Sequence, residues 1–534
     1  MGAVIRQVTT ADAATYRDLL TQVLGADYPD KQVYDESWIL SQLTPGSDME
    51  TWVVESGGRL LASLSFLPPS LIDQNPIANL GRQLIRPESF EDGSAGELLK
   101  KVTDLTQQRK QHSVVRVLAR NYREQVLFEK LGYACVGYQP FKHMNRVREG
   151  SLFYVRVARP ELLARLPLSD ALPQVKELSS LVLSNLNIPY PICIQDGTAG
   201  YPLQTETDCA ETSIEEFENF RKLAPKDGIQ TEISGSFNMG FGYLRTDGKV
   251  PFRAILGRRD GVVAAGLAYT VDPFDRCVRL VTSFAHDDLS LGSVLRHMLK
   301  VGQDQLSAAY VEVDILVTAR RLLKTLEQLG FVPIAYLAEF YVQSKIYTDV
   351  VKMVKLNMVY SHDATEVTPS ARIIVGIIDR NFQDQKLGIA IINLLRGLPI
   401  FEGLGDGELR KMARLFTQKL YRAGETIFGK GDSGNEAYVV MRGSIDILLE
   451  PENKPIATIG NGQILGELAF LDGAKRGAIA RASQPSIMLI IQRSAFNMLA
   501  QQEPQLGMVV MRNIARELSN RLRKTTLAMA AMPK

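Results

Sequence analysis

GELAFLDGAKRGAIA, Gly466 to Ala480, is the stretch on which the reading of the C-terminal third turns. Its residue types suit a cyclic phosphate diester. A short helix opening at Gly466 presents free backbone N–H groups and the positive end of its dipole to an anion. Arg476 adds a charge-assisted hydrogen bond to the same phosphate. Glu467, inside the first turn, is placed to accept from a ribose hydroxyl. One loop can thus read both halves of a nucleotide, with Gly466, Glu467, Leu468, Ala469, Arg476, Gly477 and Ala478 as the expected binding residues.

Working outward, short strands punctuated by Gly424, Gly431, Gly443 and Gly460, with two helices at the end, predict a jelly-roll-like β-roll with flanking helices. The segments LPIFEGLGDGELRKMA and YRAGETIFGKGDSGNEAYVVMRGSIDIL precede the loop. Over roughly Pro399 to Lys524 the chain resembles the cyclic-nucleotide-binding family of kinase regulatory subunits, bacterial catabolite activators and gated channels. In that family a glutamate holds the ribose 2′-hydroxyl and an arginine the cyclic phosphate. The resemblance places Glu467 and Arg476 in those roles. Lys475 replaces a common proline and Gly477 a common alanine. Gly477 lacks the hydroxyl that follows the arginine in cGMP-selective relatives, so cAMP is the expected ligand ahead of cGMP. The chain ends after one further helix, which predicts neither direct DNA readout nor a channel. That helix, about Pro504 to Thr526, places Met511, Ile514, Leu518 and Leu522 at helical spacing. It reads either as a lid on the roll or as a homodimer contact.

A length of 534 residues requires several cores. The expected division is residues 1–147, 148–365, a helical linker 366–398, and 399–534. Lys+Arg 61 against Asp+Glu 59 excludes a general attraction to nucleic acid or anionic membrane. The cysteines Cys135, Cys193, Cys209 and Cys277 form no CxxC pair and suit a reducing compartment. No apolar run approaches the ~20 residues of a membrane span, and MGAVIRQVTT lacks a signal-peptide pattern. A cytoplasmic protein without a membrane span is expected. His112, His143, His286, His297 and His362 show no ligand spacing, so no metal is expected.

The first two blocks read as mixed α/β. In the first, a helix over Ala11 to Leu24 precedes strands at Thr51 to Glu55, Arg59 to Phe66 and Leu80 to Ile85, then helix Gly96 to Gln108, strand Ser113 to Leu118 and a helix through Leu131. The second gives strands at Phe252 to Leu256, Val262 to Thr270 and Val278 to Phe284, helix Leu291 to Leu306, strand Tyr310 to Leu316 and helix Ala319 to Leu329. EKLGYACVGYQPF from Glu129 and EQLGFVPIAYLAEF from Glu327 echo one another in the same context, with Tyr138 matching Tyr336. An internal duplication is expected.

With its turn FEDGSAGELL before a helix, followed by NYREQVLFEKLGY, the first block resembles the GNAT N-acetyltransferases. The resemblance implies an acetyl-CoA or other acyl-CoA site in which backbone N–H groups cradle a pyrophosphate. Gly93, Ser94, Ala95, Gly96 and Asn121 are its expected residues. Phe90, Glu91 and Asp92 depart from the family loop, and Phe128 stands where a proton-donating tyrosine is common. In the second block DDLSLGSVL keeps Ser290 and Gly292, while Ala319 and Leu326 replace the asparagine and tyrosine. Glu88, Glu91 and His286 are the nominated acid–base groups. Two functions follow: a cAMP-switched acyl-CoA-dependent N-acyltransferase, with protein lysines as an acceptor class, or a non-catalytic cyclic-nucleotide sensor whose α/β blocks bind a protein partner or acyl-CoA without turnover.

Overall fold

Strands from both α/β blocks lie in one sheet. The computed structural model describes residues 3–530, apart from 29, 45–48, 68–76, 110, 145–146, 159–163, 166–172, 189–198, 204, 224–232, 234–251, 344–345, 359, 361–365, 414 and 450–453. Cys193 and His362 lie outside the described residues. The first half contributes β1 (Val4–Gln7), β2 (Glu50–Ser56), β3 (Arg59–Leu67), β4 (Ile77–Ile85), β5 (His112–Leu118), β6 (Ala134–Met144) and β7 (Arg148–Arg156). The second contributes β8 (Ala164–Arg165), β9 (Asp208–Thr212), β10 (Phe252–Arg259), β11 (Val262–Asp272), β12 (Cys277–Ala285), β13 (Tyr310–Leu316), β14 (Val332–Gln343) and β15 (Ile346–Leu356). Their order is β1-β2-β3-β4-β5-β7-β6-β14-β15-β13-β12-β11-β10-β9, with β8 paired to β15. The expected blocks 1–147 and 148–365 both contribute to this sheet, and β6 and β14 join them.

Read outward from that junction, the two arms match strand for strand. Parallel pairing of β4 with β5 covers only Ile77↔His112 to Leu80↔Val115, and that of β12 with β13 only Cys277↔Tyr310 to Leu280↔Val313. Each pair then parts toward its C-terminal ends. Register shifts at Cys135/Gly137 and Gln139/His143 on β6 recur at the echo positions Pro333/Ala335 and Leu337/Tyr341 on β14. Positive φ recurs likewise at Phe141 and Glu339. Such coincidence of bulges supports the expected duplication. At the junction Gly137 pairs with Ala335, its own counterpart, and a Cβ on Gly137 would lie 2.3 Å from the Ala335 Cβ.

Helices α1 (Ala13–Leu24), α2 (Glu36–Leu43), α3 (Pro87–Glu91), α4 (Ser94–Gln108), α5 (Tyr122–Lys130), α6 (Pro173–Asn185), α7 (Ile214–Leu223), α8 (Leu291–Asp304) and α9 (Arg320–Gln328) complete this part of the chain. One apolar core runs through both halves, from Val54 to Val354. It encloses a charged cluster. Glu312, fully buried, accepts from Gln139 Nε2 at 2.8 Å and Arg279 Nε at 2.7 Å and lies 3.2 Å from Lys142 Nζ. Burial opposes its ionisation, but Arg279, Lys142, Lys352 and Arg116 overcome this and hold the carboxyl well below the usual range.

Two compact units divide the chain, Met1–Phe382 and Gln383–Lys534. In the second, the short Gly-punctuated strands form two four-stranded sheets. These are β16 (Phe416–Tyr421), β17 (Thr426–Phe428), β18 (Glu436–Arg442), β19 (Ile445–Leu448), β20 (Pro455–Ile459), β21 (Ile464–Leu465), β22 (Ile479–Ala482) and β23 (Ser486–Gln492), ordered β16-β23-β18-β21 and β17-β22-β19-β20. Flanking them are the last turns of α10 (Pro369–Arg396) and the helices α11 (Asp406–Ala413), α12 (Glu467–Asp472), α13 (Arg493–Gln502) and α14 (Pro504–Ala530). This is the expected β-roll with helices. On α14, Leu506, Val510 and Ile514 are buried and Leu518 packs beside them. Met511 is 45% exposed, contrary to the expected face, because the i, i+4 stripe passes through Val510. Among the described residues no helix is long and apolar enough to cross a membrane.

Candidate functional site

The expected loop folds as a helix–turn that begins at Gly466, whose φ of +77° is left-handed and suits glycine. A Cβ there would also stand 2.5 Å from Arg476 Nη1. Arg476 is 4% exposed. Its Nη1 donates to the Gly466 carbonyl at 2.9 Å and its Nη2 to the Glu436 carbonyl at 2.6 Å. The guanidinium lies 4.3 Å from the centre of the Phe428 ring and 5.7 Å from that of Tyr438. Its buried Nε has no hydrogen-bond partner. No carboxylate of the described residues lies within ion-pair distance of it.

Backbone pairing fixes the arginine from behind. Arg476 N donates to the Asp432 carbonyl at 2.9 Å and Gly431 N to the Arg476 carbonyl at 2.8 Å. Glu467, the first residue of α12, is buried, as is Ala469, whereas Leu468 is exposed. Gly477 is exposed and a Cβ there would meet nothing within 4 Å. Ala478 is half-buried immediately before β22. The Glu436 carboxylate accepts from Tyr438 Oη and Gln492 Nε2. Burial, then Glu436, pushes the Tyr438 hydroxyl above its ordinary range.

A buried guanidinium resting on neutral acceptors is costly to desolvate, and an anion beside it offsets that cost. With a helix N-terminus and a buried carboxylate alongside, the arrangement suits a ligand carrying one negative charge and a hydroxyl close to it. Phe428, Tyr438 and Glu436 escaped the sequence reading. They stand within the quoted YRAGETIFGKGDSGNEAYVVMRG, and strand alternation of aromatic residues was the only available signal.

Residues 418–503 match the family model of the cyclic nucleotide-binding domain. This segment is a cyclic nucleotide-binding domain. Over 136 residues the chain is 31% identical to the cyclic AMP receptor protein of Thermus thermophilus, covering 25% of this chain and 61% of that protein. It is 30% identical over 135 residues to the cGMP-dependent protein kinase egl-4 of Caenorhabditis elegans, covering 23% of this chain and 17% of the kinase. Among solved structures, a cyclic nucleotide-binding domain from Methylobacillus flagellatus is 22% identical, with 28% of this chain and 87% of that chain covered and a TM-score of 0.26. The chain thus spans less than two thirds of the length of these curated relatives.

The first unit places the other nominated residues in two groups. Gly93, with φ +81°, precedes α4; Ser94 and Ala95 are buried and Gly96 half-buried on its first turn. Ser94 N donates to Asp92 Oδ1 at 2.8 Å. Asn121 precedes α5 and donates through Nδ2 to Glu124 Oε1 at 2.8 Å. Burial raises the Glu124 carboxyl to about 8 against the lowering by Asn121, and its Oε2 has no hydrogen-bond partner. Sequence reading missed this group. Glu88 and Glu91 are exposed on α3, whereas exposed His286 follows β12 in the other half, so the three nominated acid–base groups are not gathered in one half.

Proposed function

We propose that the cyclic nucleotide-binding domain takes cAMP and thereby regulates the first unit. Arg476 meets the cyclic phosphate, the N–H groups of Glu467 to Ala469 assist it, and the Glu467 carboxylate accepts from the ribose 2′-hydroxyl. Gly466, Leu468, Gly477 and Ala478 shape the same loop. What carries the reading is the buried arginine held by two neutral carbonyls with an N–H to spare. Preference for cAMP over cGMP rests on Gly477, which brings no hydroxyl to a guanine. Calorimetric titration of the full chain with cAMP, cGMP and 5′-AMP tests this: saturable cAMP binding, weaker cGMP binding and little 5′-AMP binding are expected. Absence of heat with either cyclic nucleotide would refute it.

For the regulated function, an acyl-CoA-dependent N-acyltransferase is favoured by one observation. In each half a parallel strand pair parts beyond its fourth residue pair, and a helix starts beside the opening. The first half adds Gly93, Ser94, Ala95, Gly96 and Asn121 at that opening. Phe128 cannot donate a proton to a departing thiolate, whereas Glu124, one turn earlier on the same helix, keeps its proton to about 8. Acetyl transfer to a lysine-rich protein mixture, measured with and without cAMP, decides between enzyme and sensor. Acetyl-CoA binding without transfer in both states favours a non-catalytic sensor docking a protein partner.

A further inference from the structure

The two halves share strands and bulges but differ in what lies across the groove between the helices. Matching EDGSAGELL with DDLSLGSVL sets Gly96 of α4 against Gly292 of α8, and the echo sets Arg123 and Leu127 of α5 against Arg321 and Thr325 of α9. In the second half the chain itself fills the groove. Tyr201 N donates to Thr325 Oγ1 at 2.7 Å, the Arg321 guanidinium lies 4.2 Å from the Tyr201 ring centre, and Tyr201 is 1% exposed. A Cβ on Gly292 would stand 2.2 Å from the Pro202 carbonyl oxygen. Thr205 Oγ1 lies 2.7 Å from Ser293 Oγ and donates to the Leu289 carbonyl at 3.0 Å. The N-terminal turn of α8 is also capped from within: Asp287 Oδ1 accepts from Leu289 N at 2.9 Å and Ser290 N at 2.8 Å.

The first half has no such cover among the described residues. A Cβ on Gly96 would meet only Leu127 Cδ2, at 3.5 Å. Gly96 and Leu127 are half-buried where Gly292 and Thr325 are buried, and Arg123 is exposed where Arg321 is half-buried. Exposure differs at each of these paired positions in the same sense.

We propose that Gly200 to Leu203, together with Thr205, form a built-in strap that occupies the α8/α9 groove in place of a ligand, confining ligand capacity of the first unit to the α4/α5 groove. The Tyr201 amide and the Pro202 carbonyl meet Thr325 and Gly292 much as an amide-bearing ligand arm would. The consequence for stoichiometry, one acyl-CoA per chain, rests on the acyltransferase reading above; the strap does not.

Hydrogen exchange on the full chain tests the strap. Gly→Ala inside a helix ordinarily stabilises, so Gly96→Ala should slow exchange in α4 or leave it unchanged. Gly292→Ala must expel the Pro202 carbonyl, and exchange across 289–296 and 199–205 should rise by about tenfold or more. Thr205→Ala, a milder change that keeps the fold, should raise exchange in the same two segments. Equal behaviour of the two alanine variants, or no effect of Thr205→Ala, overturns the strap. Titration with acetyl-CoA adds the second arm. One equivalent bound by the wild type and none by Gly96→Trp supports it; two equivalents in the wild type overturn it. If acetyl-CoA binds no variant while the exchange pattern holds, the strap stands and the acyltransferase reading falls.

Discussion

Replacing Arg476 with alanine has two separable effects, and their sizes follow from what the guanidinium touches. It bridges the carbonyls of Gly466 and Glu436 and stacks on Phe428. Hydrogen bonds made by a charged group contribute about 1.5–3 kcal/mol each, so the variant domain loses stability even without nucleotide. Binding loses more. Removing one partner of a desolvated charge pair costs about 2–5 kcal/mol, which is roughly 30-fold or more in affinity. The linkage relation turns this into a thermal assay. With cAMP at 100 times the wild-type Kd the wild type gains about 2.7 kcal/mol, and a 30-fold weaker variant about 0.9 kcal/mol under the same conditions. Differential scanning fluorimetry with and without cAMP reads the difference, and calorimetry supplies Kd. Arg476→Lys keeps the charge but cannot fork across both carbonyls, so it should fall between the two. An Arg476→Ala protein whose ligand-induced shift and Kd equal those of the wild type would refute the assignment of the phosphate to this side chain.

Further outcomes are expected elsewhere. Gly477→Thr fits without a clash, because a Cβ there meets open space; a hydroxyl offered to guanine should move the cGMP/cAMP affinity ratio up by about tenfold at most, one net hydrogen bond being worth about 0.5–1.5 kcal/mol. Gly137→Ala forces a Cβ to 2.3 Å from the Ala335 Cβ and should destabilise the first unit by about 1–3 kcal/mol in denaturant titration, with cAMP affinity unchanged. Burial pushes His112 from 6.5 down to about 4, its Nδ1 accepting from Ala158 N at 3.0 Å. The unfolded state therefore takes up a proton first as pH falls below 6.5, and about 3 kcal/mol should be lost between pH 6.5 and 4. His112→Gln should flatten that slope in urea titrations across this range.

The nucleotide loop was readable because its chemistry is local: Gly466, Glu467 and Arg476 stand in one short stretch of chain, α12 and the loop that follows it. Phe428 and Tyr438 come from separate strands, so no local pattern announced that both rings lie beside the arginine. Most expected strands and helices of the first unit appear within a few residues of their predicted ends. The missed strands share physical causes. VIRQ of β1 and DCAET of β9 are short, polar sheet edges, whereas β7 and β15 are buried along most of their length and lose the alternation that marks a half-exposed strand. The echo of EKLGYACVGYQPF and EQLGFVPIAYLAEF told which residues are equivalent, but pairing of Gly137 with its own counterpart is a long-range backbone approach that no sequence pattern encodes. The contacts of Tyr201, Pro202 and Thr205 with α8 and α9 went unread, since those partners are remote in sequence.

Duplication alone does not explain how the halves meet; their divergence does. Arg116 on β5 and Asp314 on β13 occupy the same ladder position, and so do their cross-strand partners, Phe153 and Lys352. In the first half Arg116 lies 5.1 Å from the centre of the Phe153 ring; in the second Asp314 pairs with Lys352 at 2.8 Å. Two identical halves would have set arginine against arginine in a buried space, a repulsion no solvent relieves. Burial lowers the Arg116 pKa, yet Glu312 and Asp314 act on it in the opposite sense, so the opposite charge of the second half answers the desolvated cation of the first. Unlike residues at equivalent positions therefore favour the pairing of the two different halves over two copies of the first. The same divergence that fixed the junction left Gly96 and Gly292 free to acquire different neighbours, one open and one strapped.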